Sequence, residues 1–378
     1  MEACVAPTLS ASVRPMSALR IGVMGVGTMG TAHARSLAEG KVTGATLGAV
    51  FDTDPRRLTA FAGVPAFTTS DELLRSGTVD AVLIATPHYS HTALGIAALR
   101  AGVHVLVEKP ISVHKADCER LLAAHTNPRQ VFAAMFNQRT DPFYRKIREL
   151  AQTGELGEIR RIQWTVTNWF RTGAYYASGG WRATWAGEGG GVLLNQCPHN
   201  LDLYQWMFGM PQRIRGFCQL GRYHAIEVED DVTAYFEYAN GTTATFITST
   251  GEAPGTNRLE VVAERGKLVY ENDRLIFTRN AVPMSEFSRT TKEMFAAPAT
   301  TTEELPVQGH GGQHNEILQN FTDAIHSGVP LIAPAAEGIH SVELANAILY
   351  SSHLGQTLTL PLDADAYEQH LNQLAHSP

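Results

Sequence analysis

The first 140 residues alternate short apolar runs with longer segments that have the spacing of helices. Apolar runs rich in β-forming residues lie at 19–24, 45–51, 79–85, 103–107 and 130–136. Segments with helical spacing lie between them, at 30–39, 92–101 and 113–125. Asp54-Pro55 predicts one more helix start, because aspartate caps a helix and proline fits its first turn. Strands that alternate with helices of about 10–15 residues predict a doubly wound, parallel sheet of the α/β class.

After residue 155, strands follow one another without helices between them. They are predicted at 159–170, 213–220, 232–238, 242–250, 259–263, 267–270 and 275–278. Turns at Asn240-Gly241 and Asn272-Asp273 are typical of antiparallel hairpins. Helices are predicted at 313–327 and 336–353, and a long loop or arm at 280–306, which is rich in Thr, Ala and Ser. The second half is therefore an α+β domain with a mostly antiparallel, open sheet.

These patterns divide the 378-residue chain into three parts. Residues 1–17 form an N-terminal tail that lacks the basic and apolar regions of a signal peptide. Residues 18–140 form the parallel-sheet domain, and residues 141–378 form the second domain. Two domains agree with the length, because single hydrophobic cores stop growing beyond about 250–300 residues.

Composition narrows the class of protein. Apolar residues make up 44% of the chain and charged residues 18%, as in an ordinary globular protein. The formal net charge of −7 argues against a nucleic-acid-binding protein. No apolar run reaches the roughly 18 residues that a membrane-spanning helix requires. The four cysteines are scattered, which is typical of free thiols in a reducing compartment, so the expected location is the cytoplasm.

A glycine motif, Gly25-x-Gly27-x-x-Gly30, lies directly between the first strand and the first helix. Gly25 allows a tight turn, Gly27 lets the backbone approach a diphosphate, and Gly30 lets helix and strand pack closely. The diphosphate is expected at the helix N-terminus, where backbone N–H groups are free. Strand, motif and helix together predict a dinucleotide-binding domain.

An acid at the end of the second strand indicates which dinucleotide is bound. Asp52 can accept hydrogen bonds from the ribose hydroxyls and repel a 2′-phosphate, which favours NAD. A helix-capping role for Asp52 is the alternative, but Asp54 suits that role better. Arg56 and Arg57 lie nearby and could hold the extra phosphate of NADP, so NADP is the alternative cofactor.

A lysine follows the fourth apolar run. The run at 103–107 leads into Glu108-Lys109-Pro110, so Lys109 lies at the C-terminal end of a strand in the same sheet. Ligands of such sheets bind in the crevice outside the strand C-termini, which places Lys109 beside the reactive end of the cofactor. The glycine motif and this lysine together predict a nicotinamide-dependent dehydrogenase.

A glycine run at 189–191 precedes a segment that contains Asn195 and His199. The two residues are four apart, so a helix would present them on one face. Pro198 is expected to kink that helix. A lone histidine on a helix is usually structural, but the kink, the glycine run and Lys109 elsewhere in the chain favour His199 as a catalytic group.

Together these motifs resemble the Gfo/Idh/MocA family of sugar and polyol oxidoreductases, over roughly residues 18–360. The resemblance rests on the glycine motif, Thr86-Pro87 with His91, Glu108-Lys109-Pro110 and the glycine run before His199. It implies that Lys109 and His199 are a catalytic pair, that a cis peptide bond precedes Pro110, and that another subunit covers the open second sheet. The cofactor-binding residues expected from the motifs and the resemblance are Gly25, Gly27, Thr28, Met29, Gly30, Asp52, Thr86, Pro87, His91, Glu108 and Lys109.

One position departs from the family pattern. Members of the family often carry aspartate where this chain has Asn195. An amide can orient a substrate hydroxyl or a ring nitrogen, but it cannot stabilise an imidazolium by charge. Asp202, three residues after His199, could partly replace that carboxylate or could be an ordinary surface or helix-terminal acid.

Oxidation of a secondary alcohol requires that the hydroxyl proton leaves while hydride passes to NAD. With an ordinary pKa near 6.5, His199 suits proton removal around neutral pH. The ammonium group of Lys109 would stabilise the developing alkoxide. No metal is required, and Cys197-x-His199 alone is too little for a zinc site.

All five tryptophans lie between residues 164 and 206, mostly on a glycine-containing loop. Binding residues concentrate on loops, and aromatic faces pack against the C–H faces of sugar rings, so a glycoside or large sugar is the expected substrate. Alternatively, the aromatics fill the interdomain core or a subunit interface, as expected for Trp164 and Trp206, and Arg139 only braces a loop. The predicted substrate-binding residues are Arg139, Trp169, Arg171, Tyr175, Tyr176, Trp181, Arg182, Asn195 and His199.

Two other functions are compatible with the same motifs. The first is NAD-assisted glycoside processing, in which transient oxidation permits another step and the cofactor is not consumed. The second is a non-catalytic regulator that senses sugar or NAD, which the presence of Lys109 and His199 disfavours. Net turnover of free NAD distinguishes a dehydrogenase from both.

Overall fold

The computed structural model describes residues 18–376, so the tail predicted at residues 1–17 lies outside the described residues. The described chain forms two sheets, one of six strands and one of nine. The elements of the first domain are β1 (Leu19–Met24), α1 (Thr28–Ala38), β2 (Ala45–Phe51), α2 (Pro55–Leu58), β3 (Ala66–Phe67), α3 (Ser70–Arg75), β4 (Ala81–Ile84), α4 (Tyr89–Arg100), β5 (His104–Val107), α5 (Lys115–Ala123) and β6 (Phe132–Ala134).

The first sheet is parallel throughout, in the order β3-β2-β1-β4-β5-β6. The chain winds outward in opposite directions from the centre, so a crevice opens between the loops that follow β1 and β4. All four residues of β4 are fully buried, as expected where helices cover both faces of a sheet. The predicted doubly wound sheet is confirmed, and the structure adds β3 and α3, which the sequence pattern did not indicate.

The second domain is built around the nine-stranded sheet. Its elements are α6 (Pro142–Gln152), β7 (Ile159–Val166), α7 (Gly173–Tyr176), α8 (Pro198–Phe208), β8 (Arg213–Leu220), β9 (Glu229–Glu237), β10 (Thr243–Ser249), β11 (Asn257–Ala263), β12 (Gly266–Glu271), β13 (Arg274–Asn280), α9 (Met284–Thr290), β14 (Thr300–Glu304), α10 (Gln313–Ser327), α11 (Ala335–Leu354), β15 (Leu358–Thr359) and α12 (Ala364–His376). The order is β14-β13-β12-β11-β7-β10-β9-β8-β15. Every neighbouring pair is antiparallel except β7 and β10, so the mostly antiparallel sheet is confirmed.

Local sterics explain the hairpin between β12 and β13. Asn272 and Asp273 have φ values of 51° and 54°, the left-handed geometry that a two-residue hairpin turn requires and that asparagine and aspartate tolerate. Trp164 on β7 is fully buried, and its ring lies 6.4 Å from that of Tyr204 on α8. The sheet therefore packs on α8, and Trp164 belongs to the core as expected.

The chain returns to the first domain near its C-terminus. Ile317, Leu318 and Phe321 of α10 are buried in the hydrophobic cluster of the parallel sheet. The Ala134 N–H also donates to the Ala333 carbonyl at 2.9 Å, which ties the segment before α11 to β6. The region predicted as one domain, 141–378, thus contributes a helix to the core of the other domain.

Some elements were not expected from the sequence. The segment predicted as a long loop or arm, 280–306, contains α9 and β14, and β14 pairs with β13. Helices α6 and α12 follow Asp141 and Asp363, whose side chains accept hydrogen bonds from the first turns. An aspartate before a helix is an N-cap signal that the sequence contains, so both helices could have been predicted from it.

Within residues 18–376, no helix combines the length and apolar character that crossing a membrane requires.

Candidate active site

A cavity of about 1170 Å³ follows the C-terminal edge of the parallel sheet. Its first-domain walls are the loops after β1, β2, β4 and β5, and its opposite wall comes from the second domain. The cavity therefore lies where ligands bind in open α/β sheets. The predicted residues that line it are Gly25, Gly27, Thr28, Met29, Asp52, Thr86, Pro87, His91, Glu108, Lys109, Tyr175, Trp181, Arg182 and Asn195.

The glycine motif forms a cradle at one end of the cavity. Gly25 has φ +88°, which L side chains rarely adopt. A Cβ on Gly30 would lie 1.7 Å from the Gly25 carbonyl oxygen, so Gly30 serves helix packing and does not line the cavity. Gly27 precedes α1 as its N-cap, with Thr28 as the first helical residue. Open backbone at a helix N-terminus fits the diphosphate of a dinucleotide.

Asp52 follows β2 at the same end. Its Oδ2 accepts a hydrogen bond from Val26 N–H at 3.0 Å, and its Oδ1 accepts one from Asp54 N–H at 2.9 Å. These bonds fix the carboxylate against the glycine loop, where it can reach a ribose diol. Arg57 lines the cavity with its Nη1 3.6 Å from Asp52. Arg56 is exposed and paired with Asp54, which caps α2 as predicted.

The loop after β4 is tied to the lysine loop by a histidine. His91 is 1% exposed, and its ring nitrogens lie 2.9 Å from the Pro110 carbonyl and 2.8 Å from the Thr86 carbonyl. The peptide bond between Lys109 and Pro110 is cis. His91 lines the cavity, but both its nitrogens face backbone carbonyls, so it acts chiefly as a link between the two loops.

Glu108 and Lys109 lie at the end of β5. Glu108 contacts the His33 ring nitrogen at 2.7 Å and accepts the Lys109 N–H at 3.1 Å. Burial alone would raise the pKa of Glu108, but the hydrogen bond and charge of His33 lower it to about 2. Burial lowers the pKa of Lys109, and the carboxylates of Glu108 and Glu188 oppose that shift. The Lys109 Nζ donates to the Asn195 backbone carbonyl at 3.0 Å, across the cavity.

The segment before α8 is not helical, which corrects the prediction for Asn195 and His199. Pro198 occupies the first turn of α8, so it starts the helix and does not kink it. Asn195 lies in the preceding turn, where its N–H donates to the Gly191 carbonyl. Its side chain bonds Glu188 and Tyr175, and no helical face is shared with His199.

His199 lies at the start of α8, buried beside the lysine. It is 9% exposed, its ring meets that of Phe136 edge to face, and its Nδ1 has no hydrogen-bond partner among the described residues. Burial and the positive charge of Lys109 lower the pKa of His199 well below its ordinary value. His199 is not among the cavity-lining residues, although it is close enough to Lys109 for their charges to interact.

A buried acid holds the glycine run in place. Both carboxylate oxygens of Glu229 accept backbone N–H bonds, from Gly191 at 2.8 Å and Leu193 at 3.0 Å. A Cβ on Gly191 would lie 2.0 Å from the Glu229 carbonyl oxygen, which explains the glycine there. Burial raises the pKa of Glu229 to about 7, and the backbone amides oppose part of that shift.

Two predicted polar residues have other roles. Arg139 is fully buried, forms a bidentate ion pair with Asp202 and also bonds Glu337, so it does not bind substrate in this cavity. Asp202 is likewise buried, and its partner is Arg139 rather than His199. It is neither a replacement for the carboxylate nor a surface acid. An arginine and an aspartate 63 residues apart cannot be paired from sequence alone.

Only some residues of the aromatic loop, residues 169–185, line the cavity. Tyr175, Trp181 and Arg182 line it, whereas Trp169, Arg171 and Tyr176 do not. The Arg182 guanidinium lies 4.7 Å from the ring centroids of both Tyr175 and Trp181, and its Nη1 donates to the Tyr175 hydroxyl at 2.9 Å. Arginine and aromatic rings thus form one stacked wall.

Several site residues were not predicted from the sequence. His88 is 8% exposed, lines the cavity next to Trp181, and its Nδ1 has no hydrogen-bond partner among the described residues. Its place directly after Thr86-Pro87 was an available signal. Glu188 is buried beside Asn195, and only its position before the glycine run could have pointed to it. Tyr89 and Ser178 also line the cavity.

One group of residues has the spacing of metal ligands within residues 18–376, namely His114, Asp117 and Glu368. The Arg120 guanidinium bonds both carboxylates, at 2.7 Å and 2.5 Å. The group is therefore an ion-pair cluster between α5 and α12, and none of its members lines the cavity.

Fold and site together define a two-domain, dinucleotide-binding oxidoreductase. A model of the oxidoreductase family with an NAD-binding Rossmann fold matches residues 19–135, and a model of the GFO/IDH/MocA C-terminal domain matches residues 144–269. The chain belongs to the GFO/IDH/MocA family of oxidoreductases. Its predicted family and its predicted cofactor, NAD, are thereby confirmed.

Individual relatives agree with this assignment. Inositol 2-dehydrogenase of Leifsonia xyli subsp. xyli is 29% identical over 64% of this chain and 75% of that protein. Inositol 2-dehydrogenase 2 of Paenarthrobacter aurescens is 26% identical over 90% of this chain and 98% of that protein. Alignments with several other inositol 2-dehydrogenases span about half of those proteins. The fold is similar to that of WlbA dehydrogenase from Bordetella pertussis, solved with NADH and UDP-GlcNAcA, with a TM-score of 0.76, 23% identity, and coverage of 92% of this chain and all of that one.

Proposed function

We propose that the protein oxidises a secondary hydroxyl of a sugar, glycoside or polyol with NAD. The observation that carries the proposal is the position of Lys109. Its ammonium group reaches across the cavity to the Asn195 carbonyl, in the cavity that also contains the glycine cradle and Asp52. An alcohol bound between the cradle and the aromatic wall meets this charge. Inositol 2-dehydrogenases among the relatives support a cyclic polyol or sugar as the substrate class.

NAD, when bound, would be the hydride acceptor. Gly25, Gly27 and Thr28 would hold its diphosphate, and Asp52 its adenosine ribose. Burial lowers the pKa of Lys109, and the carboxylates of Glu108 and Glu188 oppose that shift and so favour its ammonium form. A fixed positive charge stabilises an alkoxide more than its parent alcohol, which lowers the barrier to hydride loss.

His199 is the proposed acid/base. Burial and Lys109 favour its neutral form, and a neutral imidazole can accept the proton of the hydroxyl. Its unpartnered Nδ1 leaves a ring nitrogen available for proton exchange. His88 shares these properties and lines the cavity directly, so it is the second candidate for the same role.

The aromatic wall is the proposed sugar-binding surface. Tyr175 and Trp181 would pack against the C–H faces of a ring, while the remaining N–H groups of Arg182 would donate to hydroxyls. Asn195 would accept from a hydroxyl near Lys109. Two residues of the same loop that do not line the cavity, Arg171 and Tyr176, contact the Tyr175 ring, and Trp169 contacts Arg171 in turn.

A second copy of the chain is proposed to cover the open face of the nine-stranded sheet. Phe217 on β8 and Tyr235 on β9 are exposed large side chains, at 51% and 37%. Neighbouring strands therefore present apolar groups to solvent, which an isologous contact would bury. Light scattering coupled to size-exclusion chromatography tests this, and a monomer at micromolar concentration would contradict it.

The test of the proposed function is a panel of cyclic polyols, free sugars and glycosides incubated with NAD. NADH formation is followed by absorbance, and mass spectrometry locates any new keto group. Stoichiometric NADH with a keto product supports the dehydrogenase. Glycoside cleavage without net NADH would instead favour transient oxidation, and NAD binding without any product would favour a sensor. NADP in parallel tests the cofactor preference.

A further inference from the structure

A buried carboxylate lies behind the cavity wall next to Lys109. Glu188 is 2% exposed and directly precedes the glycine run. Its Oε2 accepts the Ala183 N–H at 2.6 Å, and its Oε1 accepts a hydrogen bond from Nδ2 of Asn195. Both donors are neutral amides. Burial of a carboxylate costs free energy that two neutral donors offset only in part, which indicates a role beyond holding the loop.

We propose that Glu188 and Asn195 are a coupled positioning pair, in which the carboxylate fixes the orientation of the amide and sets the charge around Lys109. Because Nδ2 of Asn195 faces Glu188, its Oδ1 faces the cavity side and accepts the Tyr175 hydroxyl at 3.3 Å. That hydroxyl in turn accepts Nη1 of Arg182 at 2.9 Å. The orientation of the Asn195 amide therefore affects the hydrogen bonds of two residues of the aromatic wall, Tyr175 and Arg182.

Glu188 and Asn195 affect both the position and the charge of Lys109. The backbone carbonyl of Asn195 accepts the Lys109 Nζ, so the turn that Glu188 anchors also places the ammonium group. The carboxylate of Glu188 is also close enough to favour the charged lysine. The charged and titratable groups whose charges interact with Lys109 are Glu108, Glu188, Cys197, Arg171, His88, His91, His199 and His314.

The acid at position 188 explains why position 195 carries an amide rather than a second acid. Two carboxylates at hydrogen-bond distance cannot both be ionised, so aspartate at 195 would force one of them to keep a proton. With asparagine, the contact is an ordinary N–H donor to a carboxylate, and Glu188 can remain ionised. Burial raises the pKa of Glu188, and the hydrogen bonds from Ala183 and Asn195 and the positive charges of Arg182 and Lys109 oppose that shift. Any negative charge of the pair therefore lies on residue 188 rather than residue 195.

The test is a double-mutant cycle of Glu188→Gln, Asn195→Asp and the double variant. In Glu188→Gln, the new side chain has one oxygen for the Ala183 N–H and turns its NH₂ toward Asn195. Asn195 must then flip, and the Tyr175 hydroxyl loses its acceptor. In the double variant, the introduced amide donates to the introduced carboxylate. That carboxylate has a second oxygen for Tyr175, and the negative charge is restored one side chain away.

Each single variant is expected to lower kcat/KM by about 10- to 100-fold, the range of a lost charge-assisted hydrogen bond, and the double variant to recover most of it. The alkaline limb of kcat/KM should move to lower pH in Glu188→Gln, because Lys109 loses a negative neighbour, and should return in the double variant. A residue that merely holds the loop would leave this limb in place. Glu227→Gln is the matched control, since Glu227 is exposed and accepts a backbone N–H of the same loop.

The inference rests on the proposed function only where turnover is measured. The free energy of unfolding of the four proteins gives the coupling without any substrate. If the wild-type protein oxidises nothing in the panel, the proposed function is wrong. Positive coupling between the two substitutions in the free energy of unfolding would still support the Glu188–Asn195 pair. Additive effects of the two substitutions on unfolding, or an unmoved alkaline limb in Glu188→Gln where turnover exists, would overturn the pair.

Discussion

Arg139 and Asp202 form a bidentate ion pair inside the protein. Nε of Arg139 lies 2.7 Å from Oδ2 of Asp202 and Nη2 lies 2.6 Å from Oδ1, and neither side chain is more than 1% exposed. Arg139 follows the last strand of the parallel sheet, whereas Asp202 lies on α8, three residues after His199. The pair therefore fixes the helix that carries His199 against the nucleotide-binding domain.

Arg139→Met is expected to destabilise the protein by about 3–5 kcal/mol, because it leaves the buried Asp202 without its partner. The simultaneous change Asp202→Leu should recover much of the loss, since no charge is then buried. Urea denaturation measures both. Arg75→Met, which removes an exposed pair with Asp71, is the control and should cost about 1 kcal/mol or less. Equal losses in the exposed and buried variants would contradict the assigned role of the pair.

Lys109→Ala is expected to reduce kcat by about 10²–10³-fold, the range for removal of one preorganised donor in the transition state. Stability should be retained, because the ammonium group makes one hydrogen bond, to the Asn195 carbonyl. Lys41→Ala, at an exposed lysine, is the control. Steady-state kinetics and thermal denaturation are the measurements, and a Lys109→Ala enzyme with more than half of wild-type kcat would rule out the role.

Asp52→Ser is expected to raise KM for NAD and to improve NADP relative to it. The substitution removes the charge that repels a 2′-phosphate and frees Arg57, 3.6 Å away, to bind one. It also removes the acceptor of the Val26 N–H, so some stability is lost with either cofactor. The ratio of kcat/KM for the two cofactors is the readout. An unchanged ratio would place the determinant elsewhere.

The pH profile identifies the acid/base. Because burial lowers the pKa of His199 well below 6.5, the neutral form persists at acidic pH, and the acid limb of kcat/KM should lie below pH 6.5. His199→Ala should remove that limb together with most of the activity. His88→Ala is the comparison, since burial also lowers the pKa of His88. Loss of the limb in His88→Ala alone would transfer the role to that residue.

Much of the first domain could be predicted from sequence because its signals are local. Apolar runs with helices between them specify a parallel sheet, and the steric need for Gly25 and Gly30 is expressed within six residues. Asp52 and Lys109 were placed in the cavity because the C-terminal ends of parallel strands share one edge. The hairpin turn at Asn272-Asp273 is likewise a property of the two residues that form it.

The parts decided by tertiary structure depend on contacts between residues far apart in sequence. Whether Arg139 reaches substrate or pairs with Asp202 depends on where α8 packs, and periodicity carries no information on that. Asn195 was expected to face His199, but the segment before Pro198 adopts a turn that the Glu229 carboxylate anchors. The sequence alone thus determined which sheet forms and which edge of it binds a cofactor. The packing of the second domain against that edge decided which side chains complete the site, because burial and charge pairing are properties of the assembled core.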